Sequence, residues 1–233
     1  MSKLDLGNNE FINYEFHENP RGNTIVFSNS LGSDLSMWDP QVEYFKDNYQ
    51  IICYDKRGHG KSSPIQGPYT FDMLENDVIS IMDEIGIDKA HFVGLSMGGM
   101  TSLGLALKHS NRFDKLVCCA ARADMPPPAI EAWDQRMAVV EDKGTQGVVQ
   151  GSLERWFSDK FRNDVANNHI LEKAEEMIKS TSTNGYIGSC NAIKGLDYLR
   201  ELGKIKKDFL YISGENDVGA PAVSYTHLTL PTR

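Results

Sequence analysis

The stretch from His91 to His109 constrains this chain more than any other. Residues 91–95 (His-Phe-Val-Gly-Leu) read as a short buried strand, and residues 100–109 (Met-Thr-Ser-Leu-Gly-Leu-Ala-Leu-Lys-His) as a helix with small residues on one side. Only Ser96-Met97-Gly98-Gly99 lies between them, so the chain must pass from strand to helix in a tight turn. Such a turn drives its central residue into a strained backbone conformation, and Gly94 and Gly98 remove the Cβ clashes on either side. The Ser96 hydroxyl is then pushed clear of the sheet, beside the N–H groups of the helix N-terminus. As a bare pattern, Gly-x-Ser-x-Gly occurs by chance and can be a structural turn. A strand before it and a helix after it make Ser96 a candidate nucleophile.

The flanking segments supply the frame such a serine needs. Residues 11–17 alternate roughly between apolar and polar, as an exposed early strand would. Residues 24–28 and 50–55 are more continuously apolar, as strands buried on both faces are. Between them Leu35, Trp38, Val42 and Phe45 have helical spacing, with Asp39 as N-cap and Pro40 opening the helix. Phe71, Leu74, Val78, Ile81, Met82 and Ile85 predict an amphipathic helix that stops at Gly86. Residues 115–121 predict a further buried strand. Strands alternating with helices imply right-handed crossovers and a mostly parallel sheet, an α/β fold.

After Met125-Pro126-Pro127-Pro128 the alternation breaks. Helical candidates follow at 129–142, 146–158, 164–180 and 185–194, with no strand-like run among them. A helical block between two strands of one sheet reads as a lid over the strands' carboxyl ends, with a separate helical domain as the alternative. The chain therefore divides into a core, residues 1–124 and 195–222, and a lid, residues 125–194. A crossover helix at 195–202 and a strand at 208–213 return it to the sheet. Asp217, in the loop past that strand, then points into the same crevice as Ser96.

Other readings are excluded by composition or spacing. The net charge of −8, with no basic block, speaks against nucleic acid or an anionic membrane as partner. Gly60-Lys61-Ser62 invites a phosphate-loop reading, but position 55, where that loop needs glycine, is Asp. This segment is taken as a structural turn and His59 as a turn or pocket-wall residue. Cys53, Cys118, Cys119 and Cys190 form no C-x-x-C pair, which suits reduced core thiols and a cytoplasmic setting. The N-terminus has no apolar signal region, no apolar run is long enough to span a membrane, and no histidine pair has metal-ligand spacing. Neither cofactor nor metal is expected.

A serine hydroxyl needs a base and a group that orients the base. In a strand–turn–helix setting the chain order is Ser, then Asp or Glu, then His, and Asp217 falls in the second place. The chain from about residue 11 to residue 222 resembles the α/β-hydrolase fold family, and within it the 3-oxoadipate enol-lactonases. The residues that carry this are Phe27-Ser28-Asn29-Ser30-Leu31-Gly32, Leu35-Ser36-Met37-Trp38, Asp55-Lys56-Arg57-Gly58-His59-Gly60-Lys61-Ser62, Gly94-Leu95-Ser96-Met97-Gly98-Gly99 and Ile212-Ser213-Gly214-Glu215-Asn216-Asp217. The resemblance implies Ser96 as nucleophile, Asp217 as acid, and the Leu31 and Met97 amides as oxyanion hole. It implies a lactone or ester substrate, with Trp133 against the ring, in the β-ketoadipate route of bacterial aromatic catabolism. An anionic lactone would need cations, for which Arg122, Arg136 and Arg155 are candidates, surface salt bridging being their alternative role. Another esterase, a carbon–carbon bond hydrolase or a non-catalytic receptor of the same fold remain alternatives.

The resemblance breaks down at the end of the chain. The family's histidine follows one more helix and one more strand, whereas only sixteen residues follow Asp217. The one late histidine, His227, comes ten residues after Asp217. Residues 223–233 read as a non-native tail, His227 is not expected to be the base, and the expectation is a truncation that lacks its last strand, its catalytic histidine and its activity.

Overall fold

In the computed structural model, which describes residues 2–217, 219 and 220, one sheet holds seven strands in the order β1-β2-β4-β3-β5-β6-β7. These are β1 (Ser2–Gly7), β2 (Glu10–His17), β3 (Thr24–Ser28), β4 (Gln50–Tyr54), β5 (Ala90–Leu95), β6 (Phe113–Cys119) and β7 (Asp208–Ile212). Strands β4, β3, β5, β6 and β7 run parallel, while β1 and β2 pair antiparallel at one side. The earliest strand, β1, lacks an apolar signature because only Leu4 of its side chains is buried. The expected early strand is β2, but it is not exposed: Ile12, Asn13 and Tyr14 are buried.

The continuous apolar runs have a simple physical cause. Ile25, Phe27, Ile51 and Cys53 face one side of the sheet and pack with Trp38, Val42 and Phe45. Val26, Ile52, Tyr54 and Phe92 face the other, against Leu74, Val78, Met100 and Leu103. A strand covered on both faces has no polar side to alternate with. Helix α1 (Asp39–Phe45) lies on the first side; α2 (Phe71–Ile85) and α3 (Met97–Lys108) lie on the second. Asp39 is the first residue of α1 and not its cap, because a 3-10 turn at Leu35–Trp38, capped by Asp34, runs directly into it. Helix α2 begins at Thr70, whose hydroxyl accepts from the Met73 amide, and ends at Gly86 in the left-handed conformation.

Between β6 and β7 the chain forms α4 (Pro127–Lys143), α5 (Val149–Trp156), α6 (Asp159–Arg162), α7 (Asn168–Ser180) and α8 (Thr183–Lys194). Asp124 and Asp197 form a β-bridge at the neck of this helical segment, and the Tyr198 amide donates to the Ala123 carbonyl at 2.7 Å. The return to the sheet is a 3-10 turn at Leu199–Lys204 and not the α-helix expected at 195–202. Buried Glu75 ties it to α2 and α3, accepting from Tyr198 at 2.6 Å and from Lys108 at 3.1 Å. Among the described residues β7 is the edge of the sheet, with Leu210 and Ile212 exposed. The four cysteines are free thiols, and among the described residues no helix is long and apolar enough to cross a membrane. Residues 221 and 222, His227 and the expected tail at 223–233 lie outside the described residues.

Candidate active site

Ser96 sits where β5 gives way to α3, with φ 54° and ψ −111°. A non-glycine residue at such a φ is held there only by surroundings that over-determine it. Those surroundings are backbone packed on backbone. A Cβ at Gly94 would overlap the Gly98 carbonyl, and one at Gly98 would overlap the Ser28 carbonyl of β3. A Cβ at Gly99 would come within 2.7 Å of Ala121 Cβ. The helix can approach three strands this closely only without side chains. Gly98→Ala is expected to destabilise the fold by about 1–3 kcal/mol, since a backbone carbonyl cannot swing aside as a side chain can. Urea unfolding checks this, and an unchanged midpoint would show that the contact is slack.

The carboxyl ends of the neighbouring strands are laced together at this turn. The Ser96 amide donates to the Cys119 carbonyl at 2.8 Å, and the Ala120 amide to the Ile212 carbonyl at 2.8 Å. Ala120 is itself held at φ 47°. Ser96 is half-buried, and no hydrogen bond among the described residues ties down its hydroxyl. The Met97 amide belongs to the first turn of α3 and has no acceptor four residues back. The Leu31 amide, in the loop after β3, likewise donates to no described residue.

That loop is buried from Asn29 to Ser33. The Asn29 side-chain amide donates to the Ser33 carbonyl at 2.8 Å, and the Ser33 hydroxyl to the Ser30 carbonyl at 3.0 Å. Behind it lies the loop after β4, whose carboxylate Asp55 accepts from the Leu35 amide, the Asn13 side chain and the Lys61 amide. His59 is fully buried, its Nδ1 at 2.9 Å from the Arg57 carbonyl, and burial holds its pKa down to about 4. It is therefore a neutral structural residue at physiological pH.

Asp217 lies five residues past the end of β7 and is half-buried. Its Oδ1 accepts from the amides of Gly219 and Ala220, each at 2.9 Å. None of the five described histidines hydrogen-bonds Ser96 or Asp217.

The three candidate arginines separate into two kinds. Arg122 forms an ion pair with Asp124 at 3.5 Å, the salt-bridging role that spacing left open. Arg136, on α4, donates to the buried Ser152 hydroxyl at 2.9 Å. Its guanidinium lies 5.4 Å from the Trp133 ring and 5.9 Å from the Tyr186 ring, and its Nε is buried without an acceptor among the described residues. Arg155, on α5, reaches the same hydroxyl at 3.3 Å. Neither has a carboxylate partner among the described residues. Tyr186 and Trp156 in turn reach the loop after β3, 3.5 and 4.0 Å from where a Cβ on Gly32 would lie. The Tyr186 ring thus lies between Arg136 and the loop that carries Leu31. Ser152 and Tyr186 had no sequence signal; they are ordinary helix residues until the helices pack.

A family profile for the alpha/beta hydrolase fold matches residues 23–229. The chain is 38% identical to 3-oxoadipate enol-lactonase 2 of Acinetobacter baylyi over 193 residues, 83% of this chain and 71% of that protein. The enol-lactonase of Burkholderia xenovorans LB400 superimposes with a TM-score of 0.86 at 35% identity, covering 93% of this chain and 83% of that one. A hydrolase from Pseudomonas aeruginosa PA01 gives a TM-score of 0.88 at 30% identity, covering 96% and 83%.

Proposed function

The chain belongs to the alpha/beta hydrolase fold family, and from that premise we propose that it is built for acyl transfer at Ser96, with a carboxylate-bearing enol-lactone of the 3-oxoadipate type as substrate. The observation that carries the reading is the Ser96 turn, strained at φ 54° and enforced by glycines at 94, 98 and 99.

In this reading the Ser96 oxygen attacks the lactone carbonyl and the ring C–O bond breaks. An enolate oxygen leaves more readily than an alkoxide, so ring opening asks little of a general acid. The negative charge on the carbonyl oxygen is taken up by the Leu31 and Met97 amides. Losing one such donor typically costs about 3–4 kcal/mol of transition-state stabilisation. Water then cleaves the acyl-enzyme to give a dicarboxylic keto acid. Asp217 would orient a histidine base, a role that none of the five described histidines fills. Residues 125–194 act as the lid, and Trp133 flanks the ring.

The similarity to enol-lactonases supports the substrate, as do the two arginines without carboxylate partners. Fluorophosphonate labelling at Ser96, read by peptide mass spectrometry, tests the nucleophile. Relative kcat/KM for the enol-lactone and an uncharged aryl ester, measured on a protein whose residues after 222 are replaced by the corresponding segment of a full-length lactonase, tests the substrate. A preference of about tenfold or more for the lactone, equivalent to 1.4 kcal/mol, is expected. The reverse order would replace the lactonase reading with an esterase. Arg136→Gln and Arg155→Gln should each raise KM for the carboxylate-bearing lactone by about tenfold, the weight of one charge-assisted hydrogen bond, and leave a neutral ester unaffected. Arg122→Gln should not discriminate between the two, since Asp124 already occupies that cation. Equal effects of the Arg136 change on both substrates would remove it from the site.

A further inference from the structure

We propose that Lys56 is a positioning residue for the acyl-transfer site: its buried ammonium group, reaching from the loop after β4, holds the Asn29 carbonyl and so sets the loop that presents the Leu31 amide. The inference rests on the Ser96 reading above and adds a residue to it.

Lys56 is one of the largest fully buried side chains in the molecule, only 1% exposed. A lysine is seldom buried so completely unless something holds its nitrogen. Here Nζ donates to the Asn29 carbonyl, and the Tyr54 ring lies 5.7 Å from it. The acidic neighbour in sequence, Asp55, is already committed to the Leu35, Asn13 and Lys61 donors. Burial pushes the Lys56 pKa down to about 7, and Asp55 offsets only part of that. Both the ammonium and the amine carry N–H groups, so the bond to Asn29 survives deprotonation.

Besides its packing in the core and the contact of the Ser33 hydroxyl with Met37 Sδ at 3.1 Å, the loop has few polar ties. Asn29 to Ser33 is tied by two side-chain bonds within itself, from Asn29 to the Ser33 carbonyl and from Ser33 to the Ser30 carbonyl. The Asn29 Oδ1 is buried with no hydrogen-bond partner among the described residues. Lys56 is the one hydrogen-bond donor from another element that reaches residues 29–33 among the described residues. An oxyanion donor acts only when it already stands where the charge will develop, so a loop free to drift loses transition-state stabilisation and leaves substrate affinity alone. A buried amine that costs desolvation and supports this loop from behind fits that requirement.

The test uses the whole chain with Lys56→Met, which fills the space without a donor, and Lys56→Gln, which restores an N–H one atom shorter. Amide hydrogen exchange across residues 29–33 is read by mass spectrometry, and kcat and KM are read separately. In Lys56→Met, exchange in this loop should rise at least about tenfold with the central strands unchanged, and kcat should fall about 10- to 100-fold at constant KM, the range between a misplaced and an absent oxyanion donor. Lys56→Gln should recover part of both. Unchanged exchange at residues 29–33 would overturn the proposal whatever happens to turnover. So would a loss that falls on KM alone, or a general loss of protection in both variants, which would make Lys56 a residue of the fold as a whole. If the unaltered chain shows no turnover, as a chain without its histidine would, the exchange comparison at residues 29–33 alone decides whether Lys56 sets the loop.

Discussion

In a protein whose residues after 222 are replaced by the corresponding segment of a full-length lactonase, Ser96→Ala is expected to lower kcat for the enol-lactone by about four to six orders of magnitude, as removal of a serine nucleophile does in other hydrolases. The reason is chemical and not structural. The hydroxyl makes no hydrogen bond among the described residues, so its removal leaves no orphaned partner. Alanine at φ 54° is strained much as serine is, and the glycines that allow the turn are untouched. Unfolding midpoints of the two proteins should therefore agree, while steady-state turnover and fluorophosphonate labelling are lost. The rate that survives should reflect the oxyanion amides and substrate binding alone, roughly 10³–10⁴ over water. A variant that kept a tenth of the activity would move the chemistry away from this turn.

The largest expected effect on stability comes from Asp77→Ala. Arg57, in the loop after β4, donates twice to Asp77 of α2: Nε to Oδ2 at 2.7 Å and Nη2 to Oδ1 at 2.6 Å. The side chains are only 14% and 4% exposed. Replacing a buried pair by apolar residues can be neutral, but deleting one partner strands the other charge in a medium that cannot solvate it. The expected loss is about 3–5 kcal/mol, a large part of a typical folding free energy of about 5–15 kcal/mol. Asp72→Ala is the control. Asp72 also meets a cation, Lys108, but is 71% exposed, and its loss should cost at most about 1 kcal/mol. Urea unfolding compares the two, and equal losses would show that water reaches the Arg57–Asp77 pair.

The turn at Ser96 was legible in the sequence because every force that makes it is local. Strand, glycines, serine and helix are contiguous, and a backbone that must reverse within four residues admits few alternatives. The same holds for α2, whose cap at Thr70 and stop at Gly86 lie beside the apolar stripe they bound. It holds too for the strands covered on both faces, whose unbroken apolar runs show that neither side meets water. What only the tertiary structure decided depends on partners far apart along the chain. Strand β1 is polar and exists because β2 offers it a ladder. Asn13, on a strand read as exposed, is buried because Asp55, 42 residues away, accepts its side-chain amide. Arg122, Arg136 and Arg155 look alike in the sequence; packing gives the first a carboxylate and brings the other two to one serine hydroxyl. Lys56 lay in a segment read as a turn, and its burial against Asn29 appears only once β3 and β4 lie side by side. Periodicity and punctuation report whether a residue faces water or core along its own element. The identity of the buried polar partner is set by long-range pairing, and no local pattern encodes it.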